Sequence, residues 1–323
     1  MISTLYHDRR AFHIENASLR VTALAEGGHI AGLLYKPTGV NPLWQPPWPS
    51  IEPSAWSPDK YPIYGNDSES KLLAGIMGHN LCLDIFGPPS GDEARAGIVA
   101  HGEAGVLPWQ FESIPNGLRC RCVLPFAQLA FERTIVLDDL RALIHETVEN
   151  LANLDRPIAW TQHVTLGPPF LNPGITQFRV TATKSRAIGE TTDHNWPELA
   201  PSATPSAYAA HLMDPSRDDA GFTAWTPNSL VALSYVWKRA DFPWLGIWEE
   251  NKSRPQTPWL SQTQTCGMEF GVSPFPEPRR KMIDRGPLFD TPTFRWIGAR
   301  QTLTADYRVI LTPAKTMPET PFS

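Results

Sequence analysis

The sequence has few cysteines, no excess of basic charge and no long apolar run. Its 323 residues include four cysteines, and 28 Lys and Arg are set against 33 Asp and Glu, which gives a net charge of −5. Because proteins bind the phosphate backbone largely through basic side chains, we expect no nucleic-acid partner. A membrane-spanning helix needs about 20 consecutive apolar residues. No such run occurs, so no membrane partner is expected either.

The cysteines predict neither a disulfide framework nor a metal site. Cys120 and Cys122 are one residue apart on a predicted strand, where they would point to opposite faces. No zinc spacing is present. The N-terminal residues lack the apolar core of a secretory signal, so we expect a reducing, cytoplasmic location. No phosphate loop, dinucleotide fingerprint or serine-hydrolase elbow occurs, and no cofactor is expected.

Helical periodicity is almost absent, and 69–77 is the one weak candidate for a helix. Strand signals dominate, because short stretches alternate apolar and polar residues between turn-forming residues. Many short strands favour a sandwich or barrel over a sheet with crossover helices. We therefore expect one all-β domain over 1–323, with 1–17 and 312–323 peripheral. The predicted strands are 18–25, 29–35, 118–124, 129–137, 141–150, 158–166, 177–184, 230–237, 244–249, 266–272 and 303–311.

Two long stretches, 37–67 and 190–228, show no regular pattern. The chain has 33 prolines and 12 tryptophans, and these stretches are rich in both. Long loops in a compact domain are usually functional or disordered, and tryptophans argue against disorder. We expect these loops to pack over one face and narrow a cleft, although their aromatic residues could simply fill gaps beneath them. The aromatic residues concerned are Trp44, Trp48, Trp56, Trp196, Tyr208 and Trp225.

Three ionisable residues lie in or beside apolar, strand-like segments, where an unpaired charge is costly. His101 follows the apolar run 96–100 and precedes a glycine. His163 shares a strand face with a threonine on either side, which indicates a polar cleft face. Glu269 lies between two glycines on its own face, and these leave space that a ligand could occupy. Each of the two histidines could also be a buried structural residue.

Three motifs resemble those of the galactose mutarotase-like superfamily, which includes the aldose 1-epimerases. The first is His101-Gly102. The second is the Asn-containing turn 149–153 followed by Gln162-His163, and the third is Glu269 in an apolar strand followed by 273–275. Their order and separations also agree, and the resemblance spans roughly residues 18–312. It implies a large antiparallel β-sandwich and a small carbohydrate ligand.

The resemblance also implies a mechanism. Glu269 would take the proton of the anomeric hydroxyl, and His163 would give a proton to the ring oxygen. The ring would then open and reclose on the other face, with His101 as a second polarising group. General acids and bases of this kind each contribute about 10²- to 10⁴-fold.

Other residues are candidates for substrate binding. The segment 75–80 lacks the Asn-Arg pair that the family carries before its first histidine, and His79 and Asn80 could replace it. Glu249 and Glu250 are the main rivals for a site role, but adjacent strand residues face opposite ways, so at most one would enter a cleft, and Glu250 is expected at the surface. Asp193 and Asp214 are weaker candidates for a sugar-binding aspartate. The substrate-binding candidates are His79, Asn80, Gln162, Trp237, Trp248 and Glu249.

Two other functions remain open. The same fold could bind carbohydrate without catalysis, because fold does not fix function. Alternatively, a cupin-like metal enzyme could use His79, His101, His163 and Glu269 as ligands, although no local His-x-His pair supports this. The basic run 279–281 is expected to be a solvated loop. The sequence does not indicate which sugar is bound or how many subunits associate.

Overall fold

In the computed structural model, residues 3–319 are described, and they are almost entirely β-structure. The strands are β1 Thr4–Tyr6, β2 Arg9–Glu15, β3 Leu19–Leu24, β4 Ile30–Tyr35, β5 His79–Asp84, β6 Gln110–Ile114, β7 Gly117–Leu124, β8 Leu129–Asp138, β9 Arg141–Asn150, β10 Arg156–Leu166, β11 Gln177–Val180, β12 Ala182–Ala187, β13 His194–Asn195, β14 Ser206–Met213, β15 Asp219–Trp225, β16 Val231–Lys238, β17 Trp244–Asn251, β18 Gln264–Gly271, β19 Arg295–Ile297 and β20 Thr302–Pro313.

The helices of the described residues are short. They are α1 Ser70–Leu73, α2 Gly91–Arg95 and α3 Arg279–Asp284, with 3₁₀ turns at Pro53–Ala55, Pro62–Tyr64 and Glu103–Val106. Helix α1 lies within the predicted helical segment 69–77, whereas α2 has no counterpart among the sequence predictions. Ser90 starts α2 with a capping box, because its hydroxyl accepts from the amide of Glu93 while the Glu93 carboxylate accepts from the amide of Ser90.

Two antiparallel sheets form the molecule. The larger has twelve strands in the order β1-β2-β3-β4-β5-β10-β18-β17-β14-β12-β13, with β19 paired to β10. The smaller has eight strands in the order β11-β15-β16-β20-β9-β8-β7-β6. The expected large antiparallel β-sandwich is therefore confirmed. Every predicted strand is present, although 177–184 is divided between β11 and β12.

The main core lies between the sheets. Strand β9 shows the arrangement clearly, because its residues alternate between buried and exposed along most of its length. In β10, by contrast, every residue from Ile158 to Leu166 is buried, so this strand is covered on both faces. The cover on the outer face comes from a second apolar cluster, to which the loop 37–67, the segment 72–76 and several more distant residues contribute. This cluster includes Trp44, Trp48, Tyr64, Leu72, Leu73 and Trp259.

The expectation that 190–228 lacks regular structure is wrong. Strands β14 and β15 lie in it, and β14 pairs with both β12 and β17 inside the larger sheet. Ala209 and Ala210 are small residues in β14 that neither strand nor helix patterns single out. The loop 37–67 is irregular as predicted, with 3₁₀ turns only.

The N-terminal segment 1–17 is less peripheral than expected. Strands β1 and β2 form the edge of the larger sheet, and the Arg9 side chain is fully buried. Its guanidinium lies 3.0 Å from the Glu52 carboxylate and donates to the carbonyls of Gly75 and Glu26 at 2.6 and 2.9 Å. Residues 1–2 lie outside the described range. Residues 320–323, at the end of the expected C-terminal tail, also lie outside that range. The first two residues of the expected tail, 312 and 313, belong to β20.

The basic run 279–281 is not a solvated loop, because it begins helix α3. Arg279 binds the Asp84 carboxylate at 2.6 Å and the Glu93 carboxylate at 2.9 Å, so it fastens α3 to the end of β5 and to α2. Arg280 and Lys281 are exposed, as the prediction would have them. Among residues 3–319, no helix is long and apolar enough to cross a membrane.

Candidate active site

Three adjacent strands of the larger sheet, β5, β10 and β18, bring polar side chains to one face. His163 of β10 is directly opposite Asn80 of β5 on one side and Glu269 of β18 on the other. Directly paired residues of antiparallel strands project to the same face. The sheet therefore presents an amide, an imidazole and a carboxylate in one row, on the face covered by the loops.

His163 and Glu269 are in direct contact. Nε2 of His163 lies 3.0 Å from Oε1 of Glu269, and Nδ1 lies 3.0 Å from the hydroxyl oxygen of Thr165. Both ring nitrogens thus have a partner, and the two side chains are each less than 7% exposed. Gly267 permits this geometry, because a Cβ there would lie 2.5 Å from Oε1 of Glu269. The imidazole and the carboxylate can therefore exchange a proton with each other or with a ligand above them.

His101 reaches the same place from a turn rather than a strand. Its backbone has φ = 66°, and Gly102 has φ = 83°, where a Cβ would lie 2.2 Å from the carbonyl oxygen of Leu83. Nδ1 of His101 lies 2.6 Å from the carbonyl oxygen of Phe86. A carbonyl only accepts, so Nδ1 carries the hydrogen and Nε2 is an acceptor. The His101 and His163 ring centroids are 5.1 Å apart.

The protonation state of His101 follows from its burial. Burial lowers the pKa of His101 to about 3, with the neighbouring His163 acting in the same direction and the hydrogen bond to Phe86 opposing both. A pKa this low keeps the imidazole neutral near pH 7. His101 can therefore accept a hydrogen bond from a ligand through Nε2, and it is not a proton donor at that pH.

A cavity of about 420 Å³ lies above these groups. His101, His163 and Glu269 all line it, and so does Trp248, one of the substrate-binding candidates from the sequence. One wall consists of Trp44, Leu72 and Ile76 of the second apolar cluster. The other walls include Ile188 and Tyr208 from the far end of the sheet. Trp44 thus lines the cavity from the loop 37–67, whereas Tyr208 lines it from strand β14 and not from a loop.

Arg254 and Glu69 also line the cavity, and the sequence did not single them out. Arg254 follows β17 in a polar stretch with no periodic pattern, and Glu69 lies just before α1. Neither position carries a motif, so only the folded chain shows that they face the same hollow. Among the described lining residues, Arg254 is the sole lysine or arginine.

His79 and Gln162 were expected to bind substrate, and the structure contradicts this. They are one residue away from Asn80 and His163 on their strands, so they face the opposite side, into the core. Nε2 of His79 lies 3.0 Å from Oε1 of Gln162, and Nδ1 of His79 lies 3.3 Å from the Tyr235 hydroxyl. Burial lowers the pKa of His79 well below its usual value. Both residues belong to the interior of the sandwich.

Trp237 and Glu249 are also misplaced by the sequence interpretation. Trp237 is fully within the core, where its ring stacks on Phe270 with centroids 4.1 Å apart. Glu249 points to the face opposite Trp248, and its carboxylate accepts hydrogen bonds from the backbone amides of Ser202 and Ala203 at 3.1 and 2.8 Å. Glu249 therefore fastens the loop before β14 and does not line the cavity.

Asn80 lies on the correct face but beneath the cavity. It is 1% exposed, is not among the cavity-lining residues, and its side-chain nitrogen has no hydrogen-bond partner among the described residues. Asp193 pairs with Arg186 at the surface, and Asp214 accepts from Ser216 within its own turn. Neither aspartate reaches the cavity, so both suggestions for a sugar-binding aspartate are wrong.

The four-ligand metal hypothesis fails on geometry. Because His79 faces the core, it cannot share a metal with His101, His163 and Glu269. Among residues 3–319, no group of three or more His, Cys, Asp or Glu side chains is arranged to hold a metal ion. All four cysteines are free and buried.

No protein-family model and no curated protein sequence matches this chain. Several solved structures are similar to it. A protein from Klebsiella pneumoniae described as a putative aldose 1-epimerase has a TM-score of 0.69 at 15% identity, over 95% of this chain and 80% of the other. A galactose mutarotase related enzyme from Lactobacillus acidophilus has a TM-score of 0.63 at 13% identity, over 94% and 97%.

A galactose mutarotase-like protein from Clostridium acetobutylicum has a TM-score of 0.65 at 11% identity, over 97% of this chain and 98% of the other. At these identities the likeness concerns the fold. It agrees with the two large antiparallel sheets described above. The chain therefore has the fold of the galactose mutarotase-like proteins.

Proposed function

We propose that this protein is an aldose-1-epimerase-like isomerase that interconverts the anomers of a sugar. The observation that carries the proposal is the contact of 3.0 Å between His163 and Glu269 on the floor of a cavity that His101 also lines. A carboxylate and an imidazole side by side supply the base and the acid that anomer exchange needs. The fold shared with putative aldose 1-epimerases supports the same conclusion.

The proton transfers balance over one catalytic cycle. The Glu269 carboxylate takes the proton from the anomeric hydroxyl, and the C1–O5 bond breaks as the C1–O1 bond becomes a carbonyl. The protonated His163 gives its Nε2 proton to the ring oxygen O5. After rotation about C1–C2, O5 returns its proton to His163 and attacks the other face of the aldehyde, while Glu269 returns its proton to O1. Acid and base end in their starting states.

His101 has a different role in this proposal. Since its Nε2 is an acceptor, it receives a hydrogen bond from a sugar hydroxyl and fixes the orientation of the ring. Thr165 holds the other nitrogen of His163 through its hydroxyl. The aromatic surface of Trp248, whose ring centroid is 6.1 Å from that of His163, is available to the apolar face of a pyranose.

The test measures anomer exchange by NMR with α-glucose, α-galactose and related aldoses. Glu269→Gln and His163→Asn keep the side-chain shape and remove the base or the acid, so kcat should fall about 10²- to 10⁴-fold with little change in sugar affinity. Glu112→Gln is the control, because this glutamate is exposed on β6 of the smaller sheet and does not line the cavity.

Three outcomes are informative. Exchange that falls in both site variants and persists in the control supports the proposal. Sugar binding by the wild type without accelerated exchange would instead favour a carbohydrate-binding protein on the same fold. Full activity in both site variants would show that the assignment of acid and base is wrong.

A further inference from the structure

Arg254 is held rigidly at the wall of the cavity. Its guanidinium carbon lies 4.6 Å from the ring centroid of Trp259 and 5.3 Å from that of Trp248. Its Nε lies 3.3 Å from the carboxylate of Glu250, a side chain only 1% exposed that also accepts from the amide and hydroxyl of Ser253 at 2.6 and 2.7 Å. Two aromatic faces and a buried carboxylate thus fix the guanidinium before any ligand arrives.

The position of Arg254 suits the far side of a sugar. The Trp248 ring adjoins both polar groups, because its centroid is 6.1 Å from that of His163 and 5.3 Å from the guanidinium carbon. A ligand that packs on Trp248 with its reacting carbon at His163 can therefore also reach Arg254, which lines the same cavity. Arg254 also lies close enough to His101 to act on its pKa.

Glu69 completes this end of the cavity. Its Oε2 lies 4.0 Å from Nη1 of Arg254, which is too long for a hydrogen bond. Within residues 3–319, the Nη donors of Arg254 and the carboxylate oxygens of Glu69 have no hydrogen-bond partner and stay available to a ligand. Both side chains are partly exposed, by 32% for Arg254 and 49% for Glu69, and both line the cavity.

The charge balance decides which ligand fits. Glu250 already compensates the charge of Arg254, and Glu69 and Glu269 add two further carboxylates to the lining. An anionic ligand group placed here would meet more negative than positive charge. Two neighbouring hydroxyls, by contrast, can accept from the guanidinium and donate to Glu69 without adding charge.

We propose that Arg254 and Glu69 form a second polar subsite, which binds a pair of neighbouring sugar hydroxyls remote from the anomeric carbon and selects uncharged sugars. The proposal rests on the proposed function for its choice of a sugar as ligand. Arg254 and Glu69 are thereby specificity-determining residues, and they take no part in the proton transfers.

The first experiment compares wild type, Arg254→Met, Glu69→Gln and the control Arg308→Met. Arg308 pairs with Asp219 on the smaller sheet, away from the cavity. Anomer exchange is measured with glucose and galactose, with their 3-, 4- and 6-deoxy analogues and with their 6-phosphates. We expect Arg254→Met to raise KM about 10- to 100-fold while kcat changes less than about threefold. This rise in KM should vanish for the analogue that lacks the bound hydroxyl.

Glu69→Gln tests the charge selection. It removes one carboxylate from the subsite, so the ratio of kcat/KM for the 6-phosphate to that for the parent sugar should rise about tenfold or more above the wild-type ratio. A wild type that prefers the 6-phosphate, with the preference lost in Arg254→Met, would overturn the proposal in favour of an anion subsite. An unchanged KM in Arg254→Met would reduce Arg254 to a structural role.

The second experiment separates this inference from the catalytic proposal. 1,5-Anhydroglucitol and its galactose counterpart lack the anomeric hydroxyl, so their affinity depends on contacts elsewhere in the cavity. Binding that weakens at least tenfold in Arg254→Met and is unchanged in Arg308→Met supports the subsite even if no sugar is epimerised. Equal binding by wild type and Arg254→Met would overturn the subsite whatever the catalytic result.

Discussion

At the scale of single residues, two glycines make room for the ionisable side chains of the cavity. Gly267 leaves room for the Glu269 carboxylate to lie against His163, and Gly102 allows the turn that carries His101. The sequence indicated His163 and Glu269 through alternation, and it indicated His101 through the glycine after it. It mistook Gln162 for a ligand-binding residue, because alternation shows which residues share a face but not which face meets the cavity.

Gly267→Ala should impair catalysis while the protein stays folded. The new Cβ would lie 2.5 Å from Oε1 of Glu269, and the flexible carboxylate can move away more easily than the strand can. We expect kcat for anomer exchange to fall about 10- to 100-fold, since misplaced catalytic groups cost rates of this order. Exposed Gly91→Ala is the matched control, and its nearest side-chain atom is 3.5 Å away. Wild-type kcat in Gly267→Ala would contradict this account of the site.

At the scale of secondary-structure elements, β10 is the central strand of the site, because one of its faces lies at the cavity and the other is anchored in the core. Its outer face carries His163, and its inner face carries Trp160 and Gln162, which both donate to the Glu146 carboxylate, at 3.1 and 2.6 Å. Glu146 also forms a fully buried ion pair with Arg133 at 2.7 Å. These contacts join β10 to β8 and β9 of the opposite sheet, so they hold the strand that carries His163.

Glu146→Gln should destabilise the protein strongly. Removing one partner leaves the Arg133 charge buried and uncompensated, which costs about 3–5 kcal/mol of unfolding free energy. The control is Glu132→Gln, which breaks a solvent-accessible pair with Arg121 on the outer face of the same sheet and should cost about 1 kcal/mol or less. Urea denaturation measures both, and equal losses would contradict the proposed importance of the buried pair.

For the whole molecule, four histidines with lowered pKa values make stability depend on pH. Burial lowers the pKa of three of them to about 3, and that of the fourth falls well below its usual value for the same reason. Three of the four, His29, His79 and His211, are buried, and the fourth, His101, is half-buried at the cavity. In the unfolded chain each titrates near 6.5. Below that pH the unfolded state binds protons that the folded state does not, so the folded state loses stability as the pH falls.

The unfolding free energy should therefore be highest above about pH 6.5 and decrease toward pH 4. Each histidine that stays neutral in the fold contributes about 1.4 kcal/mol per pH unit in this range. His211→Gln should lower the pH dependence of the unfolding free energy by the contribution of one histidine, about 1.4 kcal/mol per pH unit. His211 suits this test because it is buried beside Ser185 and does not line the cavity. Urea denaturation between pH 7.5 and 4.5 is the measurement. An unfolding free energy that does not change between these pH values would contradict the prediction. So would a pH dependence in His211→Gln as steep as that of the wild type.

The sequence by itself determined the class of fold and most of the strands, and it indicated three ionisable residues, His101, His163 and Glu269, that line one cavity. Alternation and turn chemistry are local properties, and the residues around His163 and Glu269 carry them. Only the tertiary structure decided which face of β10 is the cavity and that Arg254 and Glu69 meet there. Those facts depend on contacts between segments far apart in the chain, where loops cover a strand that is buried on both sides.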